Sequence, residues 1–495
     1  TSVNTLSLHD ALPIWLLPAI CGGSAMNANQ PLPSAPPEVL FFYLHQDSAV
    51  IEVDSTYPTT SYSIHCRPLL GLQYLVAAAR AAGATAALWD QRLNSFSVAD
   101  VASYVRGRRI AFLGFYTAYT MEQPVQDFIR RLRDAQVRVP IMVGGPGGCD
   151  YAPYLAAGAD AVCLGEGESV VRQVVAATSP RDWRTIPGLA CRGEHGPVLT
   201  GAPAMLADLD QLPLPARDLP QQSAYRDYYL LGMRLPYATM MASRGCPGRC
   251  TYCASPVFWG HRVRQRSPEN VVAEIDLLVR THNVRYIDML DDVFGLTVAW
   301  TERFCAMLRQ RPYRIGFKIL INPTTFGSDR ARMFRLLRTC GCDTVGIGMQ
   351  SADPHILTVT GRARETAAEL TAAVRSARQA GLLTFVSFIM GFPEEAPEAP
   401  AWTLQLLRTA RPHLTDCYPL VFLPGSVLAG EMAAGTMRET YGYAARMQRA
   451  VHCKRQFYAS FRVICDLLIW VCRNNPRWLL AMLPRLRFIL SVMGR

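Results

Sequence analysis

Short apolar runs alternate with amphipathic stretches along the chain, in two blocks separated by a proline-rich segment. In the first block, residues 39–175, the runs predicted as strands are VLFFYL, AALWD, IAFLGF, VPIMVGG and ADAVCLGEGE. The stretches between them, such as VADVASYVRG, are predicted as helices. This alternation is typical of a parallel sheet with helices on both faces, which binds ligands at the carboxyl ends of its strands. We therefore predict an α/β, Rossmann-like domain over residues 36–195.

The second block follows a predicted linker, residues 196–235, and contains six candidate strands. They are YATMMAS, RYIDML, RIGFKIL, DTVGIGM, LTFVSFIM and DCYPLVFL, with helices between them. In the first of those helices, Ser267 is the expected N-cap and Pro268 suits the first turn. Six such units predict a partial (β/α)6 barrel over residues 236–430, with the chemistry in the loops that follow the strands.

Length, composition and cysteine usage fit this organisation. The chain has 495 residues, half of them apolar, which is enough for two or three domains that each bury a core. Its 15 cysteines follow no repeating framework, which favours a reducing, cytoplasmic location in which clustered cysteines bind metal. No run approaches the ~20 apolar residues that a transmembrane helix needs.

The first residues differ in character from the rest. The segment NTLSLHDALPI, residues 4–14, resembles the translation of a common sequencing-library adapter. We therefore leave residues 1–25 out of the fold prediction as a non-native segment and expect Met26 to be the natural start.

The formal charge of +11 is concentrated in the tail, residues 431–495, which is predicted to be helical with interruptions at Pro476 and Pro484. From position 446 onward it holds ten Arg or Lys side chains and one acid, Asp466, among many apolar residues. A basic amphipathic helix can bind an anionic membrane surface at the cytoplasmic face. The favoured interpretation is instead a helical cap packed on the barrel, with its arginines in solvent.

Three cysteines stand close together in SRGCPGRCTYC, residues 243–253, directly after the first strand of the second block. Thiolates such as those of Cys246, Cys250 and Cys253 are soft ligands that suit zinc or an iron–sulfur cluster. A structural zinc site needs four ligands, and the nearest further pair, Cys340 and Cys342, lies about ninety residues downstream. A four-iron cluster held by three cysteines has one open iron at which a substrate can bind, and we favour that interpretation over zinc or a loop without metal.

This CxxxCxxC loop after the first strand of a partial barrel resembles the signature of the radical S-adenosylmethionine (SAM) enzymes. Similar motifs follow in DMLDDVFG, GIGMQSADPHIL and FIMGFPEE. The resemblance implies that the three cysteines hold a 4Fe–4S cluster, which binds SAM and cleaves it to a 5′-deoxyadenosyl radical. It also implies SAM contacts at Tyr252, Asp291, Asp292, Gln350, Gly391 and Pro393. Relatives commonly carry Glu at the position of Gln350, and an alternative for the two aspartates is a helix N-cap pair.

The glycine-rich turns of the first block, GGP and GEGE, resemble the cobalamin-binding domain found in one branch of that family. The implied cobalamin contacts are Gly144, Gly145, Pro146, Gly165, Glu166, Gly167 and Glu168. The DxHxxG motif that supplies a cobalt ligand in many cobalamin proteins is absent, because His45 and His65 lack its Asp and Gly partners. Many radical SAM relatives also lack this motif and bind cobalamin. A domain that has lost cobalamin would look the same, and we favour binding because the glycine turns survive.

Together these resemblances predict a cobalamin-dependent radical SAM methyltransferase that acts on a poorly activated carbon of a small-molecule or lipid substrate. We also expect an electron donor such as flavodoxin or ferredoxin, and no nucleic-acid partner. No acid–base catalytic residue is predicted, because the protein's share is largely positioning and exclusion of water. The alternatives are a related cyclase or oxidoreductase without methyl transfer, or a non-catalytic corrinoid- or metal-binding module.

Overall fold

The computed structural model describes residues 38–44, 68–93, 95–119, 121–219, 226–229, 233–295 and 297–474. The predicted non-native segment, His45, His65, Pro476 and Pro484 lie outside these residues.

The first block is a sheet with helices on both faces. Its elements are β1 (Glu38–Tyr43), α1 (Leu70–Ala81), β2 (Thr85–Asp90), α2 (Val98–Val105), β3 (Ile110–Tyr116), α3 (Glu122–Asp134), β4 (Ile141–Gly144), α4 (Ala152–Ala157), β5 (Ala161–Cys163), α5 (Glu168–Ala176), β6 (Leu189–Gly193) and β7 (Gly196–Leu199). The strand order is β2-β1-β3-β4-β5-β6-β7. β1 to β5 are parallel, and β6 and β7 add an antiparallel hairpin at one edge. The five predicted strands correspond to β1–β5, which confirms the Rossmann-like prediction.

β1 shows why this sheet has a core on each face. Because side chains alternate along a strand, Val39 and Phe41 point to one face and Leu40 and Phe42 to the other. All four are buried. The first pair packs with α1 and α5, and the second pair packs with α2, α3 and α4. The two faces therefore need a continuous apolar run rather than an alternating one.

The second block is a partial barrel. Its elements are β8 (Arg226–Tyr229), β9 (Met233–Met240), β10 (Ser243–Arg244), α6 (Ser255–Trp259), β11 (Arg264–Gln265), α7 (Pro268–His282), β12 (Tyr286–Met289), α8 (Val298–Arg309), β13 (Gly316–Ile321), α9 (Arg330–Thr339), β14 (Cys342–Gln350), α10 (Pro354–Val359), α11 (Ala367–Gln379), β15 (Leu383–Met390), α12 (Ala399–Ala410), β16 (Leu414–Pro419) and α13 (Val427–Ala433). The large sheet has the order β16-β15-β14-β13-β12-β9-β8, in which β9 to β16 are parallel. These six parallel strands are the six predicted ones, so the partial barrel is confirmed.

α7 begins where the sequence predicts. The Ser267 hydroxyl accepts a hydrogen bond from the Asn270 amide at 3.1 Å, and Pro268 is the first helical residue. The helix ends at Asn283, which adopts the left-handed conformation with φ 52°. Its apolar face, including Val272 and Ile275, lies in the barrel core.

Two strands lie in the segment predicted as a linker. β7 extends the first sheet to Leu199, and β8 pairs with β9 as an antiparallel edge strand. Both strands are four residues long, and both depend on a partner strand rather than on a pattern of their own. Short edge strands of this kind carry little periodic signal.

The described part of the tail packs on the barrel. It forms α14 (Tyr443–Tyr458) and α15 (Phe461–Asn474). The Tyr458 hydroxyl donates to the Thr415 carbonyl at 2.8 Å, and the Trp470 indole donates to the Gly381 carbonyl at 3.1 Å. Asp466, the one acidic residue from position 446 onward, pairs with Arg411 at 2.9 Å. Up to Asn474 the tail therefore forms the expected helical cap.

The two domains are joined by close contacts, since residues 37–495 form one compact unit. Buried ion pairs connect them, among them Arg244 with Glu168. None of the helices that the structure describes has both the length and the apolar character needed to span a membrane.

Candidate functional site

A cavity of about 370 Å³ lies where the carboxyl ends of the two sheets face each other. Its first-domain wall contains the turns after β4 and β5, and its barrel wall includes Arg244, Trp259 and Leu290. Between the first sheet and its helices the lining is mostly apolar and includes Phe41, Phe112, Met142 and Val171. This volume is within the usual range of cofactor and small-molecule sites.

All seven predicted cobalamin contacts line this cavity. The backbone there requires glycine at two positions in particular. Gly145 has φ 116°, and a Cβ on it would lie 2.4 Å from the Thr117 carbonyl oxygen. A Cβ on Gly167 would lie 2.9 Å from a Leu75 methyl group. The packing of the domain itself therefore requires glycine at these two positions, and the turns border the cavity there without side chains. No histidine is among the described residues that line the cavity.

The carboxylates of Glu166 and Glu168 pair with arginines of the barrel. Glu168 pairs with Arg244 at 2.5 Å, and Glu166 pairs with both Arg244 and Arg264. All four side chains are buried. Burial lowers the pKa of Arg244, but Glu168 and Glu166 raise it by more, so both signs of charge are held inside the interface. The carboxylates are thus engaged with the barrel, although their residues border the cavity.

The cysteine loop is held at its base by a short antiparallel ladder between β10 and β11. The three thiols are free and partly buried. Each sulfur accepts one hydrogen bond of 3.4 Å: Cys246 from the Gly248 amide, Cys253 from the Ser255 amide and Cys250 from the Arg362 guanidinium. Amide and guanidinium donors of this kind favour thiolates over thiols.

The donor set fits an iron–sulfur cluster better than a single ion. Among the described residues, no group of three or more His, Cys, Asp or Glu side chains converges closely enough to hold one metal ion. Three sulfurs spread around a loop suit a cluster, in which each thiolate binds a different iron. Burial raises the pKa of Cys246, and that of Cys253 to about 11, so metal binding at neutral pH has to displace protons.

The structure separates Cys340 and Cys342 from this loop. Cys342 begins β14, whereas Cys246 follows the carboxyl end of β9, and the strands of this sheet run parallel. Both downstream cysteines are buried in the barrel core, where the Cys340 sulfur lies 3.0 Å from that of Cys305. They therefore cannot complete a four-ligand zinc site with the loop.

Asp291 and Asp292 differ in their surroundings. The buried Asp291 carboxylate accepts hydrogen bonds from the Ala242 amide at 3.1 Å and the Ser243 hydroxyl at 2.5 Å, so it anchors the turn that leads into the cysteine loop. Burial raises the pKa of Asp291 to about 6, although these bonds lower it. Asp292 accepts a hydrogen bond from the Ser255 hydroxyl at 2.6 Å and interacts electrostatically with Cys246 and Cys253. Neither residue caps a helix, because α8 begins after Thr297.

The other predicted SAM contacts also gather around the loop. The Tyr252 ring packs edge-to-face on the ring of Phe392, and the two ring centres are 5.4 Å apart. Phe392 stands between Gly391 and Pro393 in the chain. Gln350 ends β14 in the left-handed conformation, φ 72°, which a non-glycine residue adopts at a cost. Its amide nitrogen would lie 2.6 Å from a Cβ on Gly348, so the side chain lies over that glycine.

Arg362 is a site residue that the sequence did not single out. Its guanidinium donates to the Cys250 sulfur and to the Gly348 carbonyl, the latter at 2.6 Å, and it pairs with Glu365. Burial lowers the pKa of Arg362, but Tyr252, Glu365 and Cys250 together raise it well above its usual value. A permanent cation is therefore buried against the cysteine loop. Its position follows from contacts between distant loops, for which the local sequence carries no signal.

Two family patterns match the chain. The pattern described as "Radical SAM superfamily" matches residues 240–407, and the pattern described as "B12 binding domain" matches residues 65–175. The first region contains the cysteine loop, and the second contains both glycine turns.

Individual proteins are similar to this chain over half of its length or more. An uncharacterized methyltransferase, PH0819 from Pyrococcus horikoshii, is 28% identical over 354 residues, which are 69% of this chain and 73% of that protein. The anaerobic magnesium-protoporphyrin IX monomethyl ester cyclase of Cereibacter sphaeroides is 28% identical over 273 residues, 54% of this chain and 43% of the cyclase. The structure of the radical SAM methyltransferase TsrM from Kitasatospora setae, with cobalamin and a [4Fe–4S] cluster bound, superposes with a TM-score of 0.65 at 19% identity and covers 81% of this chain and 78% of TsrM. At that identity the likeness establishes a common fold.

Proposed function

Because this chain belongs to the cobalamin-dependent radical SAM enzymes, we propose that it is a methyltransferase that acts on a poorly activated carbon of a small molecule. Methyltransferases are among its relatives by sequence and by fold.

The observation that carries the proposal is the cavity between the domains. Its walls contain the glycine turns of the B12-binding domain on one side and Arg244, two residues before Cys246, on the other. A corrinoid held by the first domain would therefore lie beside the loop that holds the cluster. Reactive groups from two domains that border one space can act on one substrate.

For the cluster, we propose Cys246, Cys250 and Cys253 as ligands, with Arg362 as the buried cation that balances their charge. Asp292 and Gln350 are then the polar side chains available to the methionine part of SAM, and Tyr252 with the Gly391–Pro393 loop borders the adenine. When bound, the cluster would supply the electron that cleaves SAM, and the corrinoid would supply the methyl group.

The chain's own contribution is positioning and shielding. Glycine main chain replaces side chains at the ends of β4 and β5, and buried ion pairs fix the GEGE turn against β10. Aromatic and aliphatic residues such as Phe112, Trp259 and Leu290 line the cavity and would shield a ligand bound there from water. A radical that forms in a dry, rigid space reacts with the group held next to it rather than with solvent.

The first test concerns the three cysteines. In protein reconstituted anaerobically with iron and sulfide, we expect Cys246→Ala, Cys250→Ala and Cys253→Ala each to abolish 5′-deoxyadenosine formation from SAM in the presence of dithionite. Cys340→Ala and Cys342→Ala are matched controls, since both lie in the barrel core away from the loop, and they should retain the activity. Cleavage of SAM that survives in any of the first three variants would contradict the assignment.

A label distinguishes methyl transfer from the alternative. With methyl-labelled SAM and protein loaded with reduced cobalamin, a methyltransferase should pass label into the corrinoid fraction even without its carbon substrate. The alternative reaction is ring formation or oxidation without methyl transfer, and the similarity to the cyclase is the observation that supports it. That alternative predicts 5′-deoxyadenosine formation with no label in the corrinoid, and such a result would end the methyltransferase proposal.

A further inference from the structure

Three exposed arginines lie on the cysteine loop or beside it: Arg249 within the loop, and Arg262 and Arg364 in neighbouring segments. None of them takes part in an ion pair within the described part of the chain, although more than twenty other basic side chains there do. Unpaired guanidinium groups around one loop make a local excess of positive charge.

Backbone contacts fix the three arginines on the two flanks of the loop. On one flank, a Cβ on Gly361 would lie 3.0 Å from the Arg249 carbonyl oxygen, and Arg364 follows three residues later. On the other flank, a Cβ on Gly245 would lie 2.6 Å from the Arg262 carbonyl oxygen. His261, next to Arg262, is bonded through its ring nitrogen to the Gly248 carbonyl at 3.1 Å. The exposed edge of the loop, residues 247–249, thus lies between basic residues from three chain segments.

Neighbouring arginines in the same segments show the contrast. Arg244, Arg264 and Arg362 are buried, and each pairs with a carboxylate. These ion pairs stabilise the fold, whereas Arg249, Arg262 and Arg364 form no ion pair with the described residues. Their charge is available to a partner.

We propose that this edge, the basic rim formed by Arg249, Arg262 and Arg364, is the docking surface for an acidic one-electron carrier protein with a reduced flavin or iron–sulfur group. The inference rests on the proposed function, because a cluster held by Cys246, Cys250 and Cys253 must receive its electron from outside the chain. One electron leaves the carrier's cofactor and enters the cluster, and no bond is formed or broken. The three cysteines are partly exposed, and the loop that carries them reaches solvent at residues 247 and 249. Electron-transfer encounters of this kind are small and transient, and charge complementarity sets their rate.

The test reverses the charge of the rim. We expect Arg249→Glu/Arg262→Glu/Arg364→Glu to slow SAM cleavage driven by an acidic flavodoxin and its NADPH-dependent reductase by about tenfold or more. With reduced methyl viologen, a small cation that needs no docking surface, the rate should stay within about twofold of the wild type. The matched control is Arg106→Glu/Arg131→Glu/Arg335→Glu, which makes the same change in net charge at exposed arginines on helix flanks away from the loop and should leave both rates unchanged.

A binding measurement separates this proposal from the proposed function. By calorimetry, the wild type should bind the same flavodoxin with a Kd that weakens as salt rises, and the rim variant should lose about tenfold in affinity together with most of that salt dependence. Equal affinity for the rim variant and the wild type, or an equal loss in the control variant, would overturn the proposal. If the wild type cleaves no SAM with either reductant, the proposed function fails, while the binding comparison still decides where the carrier docks.

Discussion

At the scale of single residues, the buried cation at Arg362 controls the electrostatics of the site. Its guanidinium donates a hydrogen bond to a predicted cluster ligand, the Cys250 sulfur. Hydrogen bonds and positive charge next to cluster sulfurs raise the reduction potential, because they stabilise the more negative reduced state.

Replacing this cation should therefore lower the potential. We expect Arg362→Met/Glu365→Gln, which removes the buried pair without leaving one charge alone, to lower the potential of the reconstituted cluster. A charge-assisted hydrogen bond contributes about 1.5 kcal/mol, which corresponds to about 60 mV for one electron. A dye-mediated redox titration followed by electron paramagnetic resonance measures the shift. Arg364→Met, at the exposed arginine two residues on, should leave the potential nearly unchanged, and an equal shift in both variants would contradict the role of Arg362.

The sequence predicted which residues belong to the site only where the spacing of neighbouring residues indicates a chemical role. The CxxxCxxC loop and the glycine turns carry such spacing, and the structure brings them to a common cavity. The pairing of Glu166 and Glu168 with Arg244 and Arg264 joins positions far apart in the chain, so no local pattern could predict it. The same holds for Asp291, whose partners Ala242 and Ser243 belong to another strand.

At the scale of elements, the first turn of α1 borders the cavity. Gly71 lines it, and a Cβ on Gly71 would meet no atom within 4 Å. A side chain added at this position therefore has room next to the helix, and a large one would occupy space that a ligand needs.

This gives a prediction for cobalamin binding. Gly71→Trp should weaken the binding of hydroxocobalamin, since overfilling a packed site costs about 1–3 kcal/mol, or roughly five- to a hundredfold in Kd. Gly71→Ala is the control: it should bind cobalamin as the wild type does and raise the unfolding free energy by up to about 1 kcal/mol, because alanine is favoured over glycine in a helix. Spectrophotometric titration and urea denaturation give the two quantities. Unaltered affinity in Gly71→Trp would show that the ligand binds elsewhere.

Elements were predictable where hydrophobic periodicity is strong. All eleven predicted strands exist, and most of them are apolar runs buried in a parallel sheet. The missed strands β6, β7, β8, β10 and β11 are two to five residues long and pair at edges or at the base of a loop. Such strands form because a partner is present, which is information that a short stretch of sequence does not contain.

At the scale of the whole molecule, buried ion pairs join the two domains. Besides the pairs of Arg244, Glu274 of α7 pairs with Arg217 at 2.5 Å and with Arg266 at 2.6 Å, and Arg217 also donates to Gln73 of α1. Four arginines and three glutamates share these buried pairs: Arg217, Arg244, Arg264 and Arg266 with Glu166, Glu168 and Glu274. Removal of one partner leaves a buried charge without compensation.

The domain interface should accordingly be sensitive to single substitutions. We expect Glu168→Ala to lower the free energy of unfolding by about 3–5 kcal/mol, because Arg244 stays buried with only Glu166 near it. Asp218→Ala removes an exposed pair with Arg80 of α1 and should cost about 0–1 kcal/mol. Urea denaturation followed by circular dichroism compares the two. Similar losses in both variants would mean that the buried pairs do not hold the domains together.

The position of Arg244 also links the two candidate cofactor sites. Its guanidinium is bound to the GEGE turn, and its main chain leads through Gly245 into Cys246. A displacement of the GEGE turn would therefore be transmitted through Arg244 to the loop that carries the three cysteines. The two candidate cofactor sites share this one mechanical connection, so a change that loosens the first should also be felt at the second.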